Sequence, residues 1–335
     1  MKSVQFIIPT LNRPEAVMAN VSALLRALSR VKCETLEVHV KISENDSNPD
    51  LAVSDDFMEH LTCEGKSSRI AVQLIRRKER LSLGAHMAVL FQEVQSDWQV
   101  WIGDDDLLLD WYVEELLRQV SEDASGHNVV FAKFRPSAYS EFLDEARREV
   151  EENSPSFIHE EIKQRNAGKL TTDLVGMAMR GHQLSGLMLR TSFANKAISE
   201  VNPENLYPWI TCTASAIFDG GAVSYKEEAI IVTSDTPKLF SYGKDGLQGE
   251  ICEALLSVPS LTRANRIQLA RLVLSHPTSY WRMKLTGRNA VWRLVRRLAL
   301  IAHPKIPFAV GIVSVPKAIL GAMSQRWMKR LRAVA

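Results

Sequence analysis

Val100–Asp110 reads VWIGDDDLLLD, three consecutive aspartates between two apolar runs. Adjacent carboxylates repel, and a turn needs no more than one polar or flexible corner residue, so turn formation alone does not account for Asp104, Asp105 and Asp106. Capping a helix that begins near Leu107 would use Asp106 and leave the other two unexplained. A cationic partner would use all three.

Working outward, short β-branched or apolar runs alternate with longer amphipathic ones. The pattern predicts strands at Val4–Pro9, Leu36–Ile42, Ile70–Ile75, Gln99–Ile102 and Asn128–Phe134, and helices at Arg13–Arg30, Leu83–Val94 and Leu109–Val120. In the first helix Val17, Val21, Leu24, Leu25 and Leu28 share a face. Such alternation predicts an α/β fold, a wound, mostly parallel sheet with flanking helices, whose ligands sit beyond the carboxyl ends of the strands. Three of those ends are polar: PTLNRPE, SENDSNPD and GDDDLLLD. Aspartates at such an edge suit Mg²⁺ or Mn²⁺, which take oxygen ligands and share one or two carboxylates with substrate phosphates. If the triplet continues the strand, Asp104 and Asp106 face one side as the metal pair and Asp105 faces the other.

The chain of 335 residues is long enough for two domains or for one large domain with an extension. Cys33, Cys63, Cys212 and Cys252 lie far apart, without zinc-type spacing, which predicts a reduced, cytoplasmic setting. Pro9 breaks the first apolar run too early for a signal-peptide core, so no export signal is expected. From Leu255 to Ala335 there are fifteen Lys or Arg and no Asp or Glu; against a whole-chain charge of +2, the first 254 residues carry −13. An acidic body with a basic tail points to a polyanionic partner for the tail. The charged stretch Glu141–Glu161 predicts a solvated helix followed by a loop, and GHQLSGLMLRTSFA and AVSYKEEAIIVTSD predict short strands returning to the core.

Four segments in order, FIIPTLNRPEAV (Phe6–Val17), KISENDSNPD (Lys41–Asp50), RLSLGAHMAV (Arg80–Val89) and WQVWIGDDDLL (Trp98–Leu108), resemble the motifs of the family 2 glycosyltransferases with a GT-A fold. The Gly-Asp-Asp-Asp form particularly resembles the abequosyltransferase-like members that build bacterial surface polysaccharides. The resemblance implies a nucleotide-sugar-binding half at 1–125, an acceptor-binding half at 126–250 and a basic helical tail at 251–335. By position, Pro9, Thr10, Asn12 and Arg13 would border the nucleotide, with Arg13 available to a phosphate. Glu44, where the family usually has an aspartate, and Asn45 would face the base or ribose. Gly84 would allow close approach of backbone N–H groups, with Ser82 standing where asparagine is usual. Asp104 would lie near the ribose, Asp105 is the less defined member, and Asp106 would bind the metal bridging the diphosphate.

The activity implied is inverting transfer of a sugar from a nucleotide-diphosphate donor to a hydroxyl of a polysaccharide or lipid-linked glycan. The acceptor-side base would be a carboxylate in the second half; Asp173, Glu204 and Asp219 are the candidates. His182 is a further polar candidate, and Tyr207 and Trp209 would either stack on a sugar or pack in a core. Two alternatives stand beside this. A nucleotidyltransferase would want a glycine-rich loop after the first strand, where PTLNRPE has no glycine; a non-catalytic scaffold of a surface-polysaccharide assembly would keep the fold alone.

In the tail, Asn289–His303 reads NAVWRLVRRLALIAH. On a helical wheel Val291, Trp292, Leu294, Val295 and Leu298 share one face while Arg293, Arg296 and Arg297 fall ~140–240° from Val291. Trp and Leu opposite Arg describe an amphipathic helix lying in an anionic membrane surface, on the inner face of the cell membrane; no nucleic-acid motif accompanies it. IPFAVGIVSVPKAILGAM is broken by Pro307, Pro316 and Lys317, a poor spanning segment. Deleting residues 289–335 is expected to abolish co-sedimentation with anionic liposomes; retained binding would refute the interfacial helix.

Overall fold

The computed structural model describes residues 1–31, 35–67, 70–122, 127–147, 159–162, 183–199, 201, 205, 207–233, 254 and 258. The elements in order are β1 (Lys2–Thr10), α1 (Pro14–Arg30), β2 (Leu36–Glu44), a 3-10 turn (Pro49–Leu51), α2 (Asp55–Ser67), β3 (Ile70–Arg76), α3 (Leu83–Glu93), β4 (Trp98–Trp101) and β5 (Asp106–Leu108). They continue as α4 (Asp110–Glu122), β6 (Val129–Ser137), α5 (Tyr139–Arg147), β7 (His159–Ile162), β8 (Leu187–Arg190), α6 (Thr191–Ile198), α7 (Pro208–Gly220) and β9 (Ala222–Thr233). All nine strands form one sheet in the order β3-β2-β1-β4-β8-β6-β9-β5, with β7 also on β9.

The α/β expectation holds, with a limit on "mostly parallel". The strands β1 to β4 are mutually parallel where they pair, as their helical crossovers require. Beyond β4 the sheet turns mixed: β8 runs antiparallel to both β4 and β6, and β5 and β7 run antiparallel to β9. One sheet therefore spans the expected boundary at 125, since Asp106–Leu108 pairs with Ile230–Val232.

The sheet separates two apolar layers. On β1, Val4, Phe6 and Ile8 pack with α1 and α4, whereas Ile7 packs with α3, α6 and α7. This period-two split of a fully buried strand is what its continuous apolar run encodes. Each such side chain removed from water contributes about 1.5–3 kcal/mol. The face of α1 is the predicted one, Val17, Val21, Leu24, Leu25 and Leu28, and Pro14 stands in its first turn, where a missing N–H costs nothing.

Several local expectations differ from the structure. α2 went unpredicted because its residues DDFMEHLTCEGKS offer few anchors, of which Leu61 is fully buried. The charged segment after Glu141 is less solvated than expected: α5 buries Phe142 and Ala146, and strand β7 stands where its loop was to end. Within the described part of GHQLSGLMLRTSFA, Leu187–Arg190 alone is strand; Thr191 begins a helix. The basic tail lies outside the described residues apart from Ala254 and Val258, both buried against the α7 side of the core, where Thr211 Oγ1 donates to the Ala254 carbonyl at 2.7 Å. Among the described residues no helix is long and apolar enough to cross a membrane.

Beneath the end of β2, the His86 ring on α3 lies 2.9 Å from Ser43 Oγ and is nearly inaccessible. Burial, helped by the charge of Arg77, lowers its pKa to about 4 from 6.5. The unfolded chain then binds a proton that the folded one refuses, so this contribution to stability is complete above about pH 6.5 and is lost as the pH falls toward 4. His86→Gln is expected to flatten the unfolding free energy across that window by about 3 kcal/mol relative to the wild type. Parallel pH profiles of urea denaturation would contradict this.

Candidate active site

The three polar strand ends meet at one edge of the sheet. Ile102 N–H donates to the Ile7 carbonyl (3.0 Å), Asn45 N–H to that of Thr10 (3.0 Å) and Arg77 N–H to that of Glu44 (2.9 Å), extending the ladders into the loops. Between β4 and β5 the chain turns, closed by Asp106 N–H on the Gly103 carbonyl at 3.2 Å. Asn20, buried in the otherwise apolar face of α1, braces this turn, its Nδ2 donating to the carbonyls of Gly103 (2.8 Å) and Asp106 (2.6 Å). Gly103 is needed for closeness: a Cβ there would lie 2.7 Å from Asp106 Oδ2 and 3.2 Å from Ser185 Oγ.

The expected strand alternation fails because the aspartates occupy this turn. Asp104 and Asp105 share Arg13, whereas Asp106, still within electrostatic reach of both, bonds to the second half of the chain. Arg13 Nη1 donates to Asp104 Oδ1 (3.0 Å) and Asp105 Oδ2 (2.9 Å), and Thr10 Oγ1 donates to Asp104 Oδ2 (2.8 Å). Burial disfavours the Arg13 cation, but Asp104 and Asp105 outweigh it and raise its pKa above the ordinary arginine value. Burial pushes Asp104 up to about 6, against the pull of Arg13. Arg13 is thus a counter-ion of the triplet, and any phosphate it serves would share it. Asp105 is the more accessible of the pair, and among the described residues its Oδ1 has no partner.

Asp106 turns toward the second half of the chain. Its Oδ2 accepts a short hydrogen bond from Ser185 Oγ and a long one, 3.5 Å, from Gln183 Nε2. Burial, reinforced by the charge of Asp105, pushes Asp106 up to about 8, while the Ser185 hydroxyl and the Thr233 N–H act the other way. Among the described residues no three His, Cys, Asp or Glu side chains converge as a self-sufficient metal site. The donor set, an open oxygen on Asp105 and the buried carboxylate of Asp106, fits a hard cation that completes its shell with phosphate and water oxygens.

The remaining loops form the walls. Asn12 (φ 56°) and Asp46 (φ 57°) adopt the left-handed conformation that Asn and Asp tolerate. Asn12 joins two loops, with its Oδ1 accepting from Asn48 N–H (2.8 Å) and its N–H donating to Ser47 Oγ (3.1 Å). Asn45 pairs through both amide atoms with the Leu81 backbone, each at 2.9 Å. Glu44 is buried, its oxygens accepting from Val53 N–H (2.8 Å) and Arg76 Nε (3.2 Å), so its carboxylate ties β2 to the chain beyond. Ser82 caps α3, accepting from Ala85 N–H at 3.2 Å, and Gly84 is buried in the first turn. Pro9, the penultimate residue of β1, stands beside Ser43. Tyr139 also faces this edge: after burial, the charges of Glu15, Asp105 and Asp104 raise its phenol pKa.

Of the candidate bases, Asp219 is exposed at the C-terminal end of α7, just before Ala222 pairs with Val129 at the start of β6. That is the amino edge of the parallel strands, opposite the aspartate turn, so the structure does not bring Asp219 to Asp104–Asp106. Asp173, Glu204 and His182 lie outside the described residues. Tyr207 and Trp209 pack in the core edge to face, ring centroids 4.8 Å apart, which removes them as sugar platforms. The residues missed from the sequence are Asn20, Gln183, Ser185 and Tyr139. A lone asparagine in the Val17–Val21 stripe signalled the first; Ser185 lay in GHQLSGLMLRTSFA, read as a strand segment, without a reason to single it out.

Parallel β1–β4 with polar carboxyl ends, an aspartate turn after β4 and a mixed second half together define a GT-A-type fold. The solved structures similar to the chain include the first 349 residues of S. aureus TarS, with a TM-score of 0.55 and 11% identity over 98% of this chain and 92% of that one. The same TarS fragment crystallised with UDP-GlcNAc gives 0.56 and 11%, and with UDP 0.55 and 12%, at the same coverage. No protein-family model matches the chain, and no curated protein matches it in sequence. At this identity the likeness establishes the fold.

Asn20→Leu would remove the side-chain donor shared by two carbonyls, leaving that of Gly103 with the 3.2 Å bond from Asp106 N–H, which is expected to lower the unfolding free energy by about 1–3 kcal/mol. Chemical denaturation checks this, and a change below about 0.5 kcal/mol would show the turn to be held by other means.

Proposed function

We propose that the protein is an inverting glycosyltransferase that uses a nucleoside-diphosphate sugar and Mg²⁺ or Mn²⁺, with a hydroxyl of a polysaccharide or lipid-linked glycan as acceptor. The observation that carries this is the aspartate turn: three carboxylates at the carboxyl edge of a GT-A-type sheet, two sharing Arg13 and the third buried on Ser185. A purely structural turn has no use for a partly exposed third carboxylate, and burying two others at the carboxyl edge of the sheet opposes stability unless a ligand's charge is received there.

In this proposal Asp105 and Asp106 hold the cation, and Asp104, committed to Thr10 and Arg13, borders the ribose. When bound, the cation neutralises charge on the departing diphosphate. The rest falls to the chain. Arg13, poised between Asp104 and Asp105, lends one further positive charge near the phosphates, and the Asn12–Ser47–Asn48 and Asn45–Leu81 cross-links hold the nucleoside walls in register. The acceptor oxygen forms its bond to the anomeric carbon as the bond to the phosphate oxygen breaks on the opposite face, and a carboxylate takes the acceptor proton. With Asp219 at the far edge, Asp173 and Glu204 remain as candidates for that base. The basic tail would hold the enzyme at an anionic membrane surface where a lipid-linked acceptor resides.

A thermal-shift panel of UDP, GDP, dTDP and CDP is expected to raise the melting temperature for at least one nucleotide, and more with Mn²⁺ than without. Asp105→Asn and Asp106→Asn should lose the Mn²⁺-dependent increment, whereas Asp104→Asn should weaken nucleotide binding in both conditions. If no nucleotide stabilises the wild type, the proposal is wrong.

A further inference from the structure

The turn Leu184–Leu187 comes from the half of the chain opposite the donor loops, yet it closes on the aspartate turn. We propose that Ser185 is a positioning residue for the transfer: its hydroxyl fixes the Asp106 carboxylate in the orientation that receives the cation, and Tyr112 holds Ser185 in place through the Gly186 carbonyl. This rests on the function proposed above.

The hydrogen bonding around Ser185 is directional. Gly103 N–H donates to Ser185 Oγ at 2.7 Å, so the hydroxyl uses a lone pair there and directs its own proton to Asp106 Oδ2. Ser185 is buried, and the long contact from Gln183 is a weak substitute for it. One serine thus binds both ends of the aspartate turn, the backbone of Gly103 and the side chain of Asp106.

The serine in turn has little freedom. Leu187 N–H closes the turn on the Leu184 carbonyl (3.1 Å), and Gly186 N–H donates to the Trp101 carbonyl (2.8 Å). Tyr112 Oη donates to the Gly186 carbonyl at 2.7 Å. Gly186 has φ +75°, and a Cβ there would fall 2.4 Å from Ile230 Cδ1. Tyr112 is fully buried and packs edge to face on Trp111 and Tyr225, ring centroids 5.5 and 5.9 Å away. The chain of contacts runs from this aromatic group through Gly186 and Ser185 to Asp106. Without the hydroxyl, the carboxylate gains alternative rotamers, and a cation must select one of them on binding.

The test measures Mn²⁺ affinity by electron paramagnetic resonance on the full chain, with UDP, GDP, dTDP or CDP chosen by its thermal shift, for the wild type, Ser185→Ala, Ser185→Thr, Tyr112→Phe, Asp106→Asn and the Ser185→Ala/Asp106→Asn pair. Ser185→Ala is expected to raise the Mn²⁺ dissociation constant about tenfold, Ser185→Thr to restore it to within about threefold, and Tyr112→Phe to raise it about threefold. Because Ser185 acts through Asp106, adding Ser185→Ala to Asp106→Asn should change affinity less than about twofold. A merely structural serine would lower the melting temperature of the ligand-free protein and leave Mn²⁺ affinity unmoved, which overturns the proposal. So does a Ser185→Ala effect that persists in full beside Asp106→Asn. Unchanged affinity in Tyr112→Phe overturns the part given to Tyr112, and that variant decides the matter if Ser185→Ala does not fold. A wild type that binds no nucleotide with Mn²⁺ defeats the function itself; one that binds it, with Ser185→Ala binding equally well, defeats this inference alone.

Discussion

Three carboxylates in three consecutive residues must be compensated, and the architecture of the cleft follows from how this is done. Arg13 bridges Asp104 and Asp105 from the loop after the first strand, which fixes that loop against the turn after the fourth. Asp106 adds its charge to the field on Arg13 but takes its hydrogen bonds from hydroxyl, amide and backbone donors of the distant second half. Two directions of compensation thus tie together the β1 loop, the β4–β5 turn and the β8 turn. Burial without full neutralisation leaves Asp104 and Asp106 with raised pKa values, the electrostatic condition in which an incoming cation is favoured.

The first half of the fold was legible because its signals are local. Continuous apolar runs mark β1 and β2, the 3.6-residue stripe marks α1, and polar residues punctuate the strand ends at Thr10, Glu44 and Asp104. Expected and observed boundaries there agree to within a few residues. The second half was less legible because its strands take their direction from partners far away in sequence. Nothing in LMLR says that it will run antiparallel between Trp98–Trp101 and Val129–Val130. Nor does AVSYKEEAIIVT show that one strand will serve β6, β7 and β5 in turn.

The same contrast holds within the site. The aspartates and the Pro-Thr-x-Asn-Arg loop were visible as a clustered motif, but their orientation was not, because a period-two rule was applied to residues that form a turn. Ser185 reaches Asp106 across 79 positions and Tyr112 reaches Gly186 across 74, separations at which sequence pattern carries no pairing information. Asp219 illustrates the converse: its residue type suited a base, and only the topology, which returns β9 from the amino edge, separates it from the aspartates.

The pairing of Asp106–Leu108 with Ile230–Val232 has a consequence for the order in which the molecule matures on the ribosome. The loops after β1 and β2 and the turn after β4 have been synthesised by residue 106, yet among the described residues the strand carrying Asp106 pairs with β9 alone, and its partner there, Val232, emerges more than a hundred residues later. A nascent or prematurely terminated chain therefore holds Asp104 and Asp105 beside a strand, begun by Asp106, that lacks its β9 partner. The aspartate turn is thus completed only when the second half of the chain is present, so the two halves of the sheet mature together.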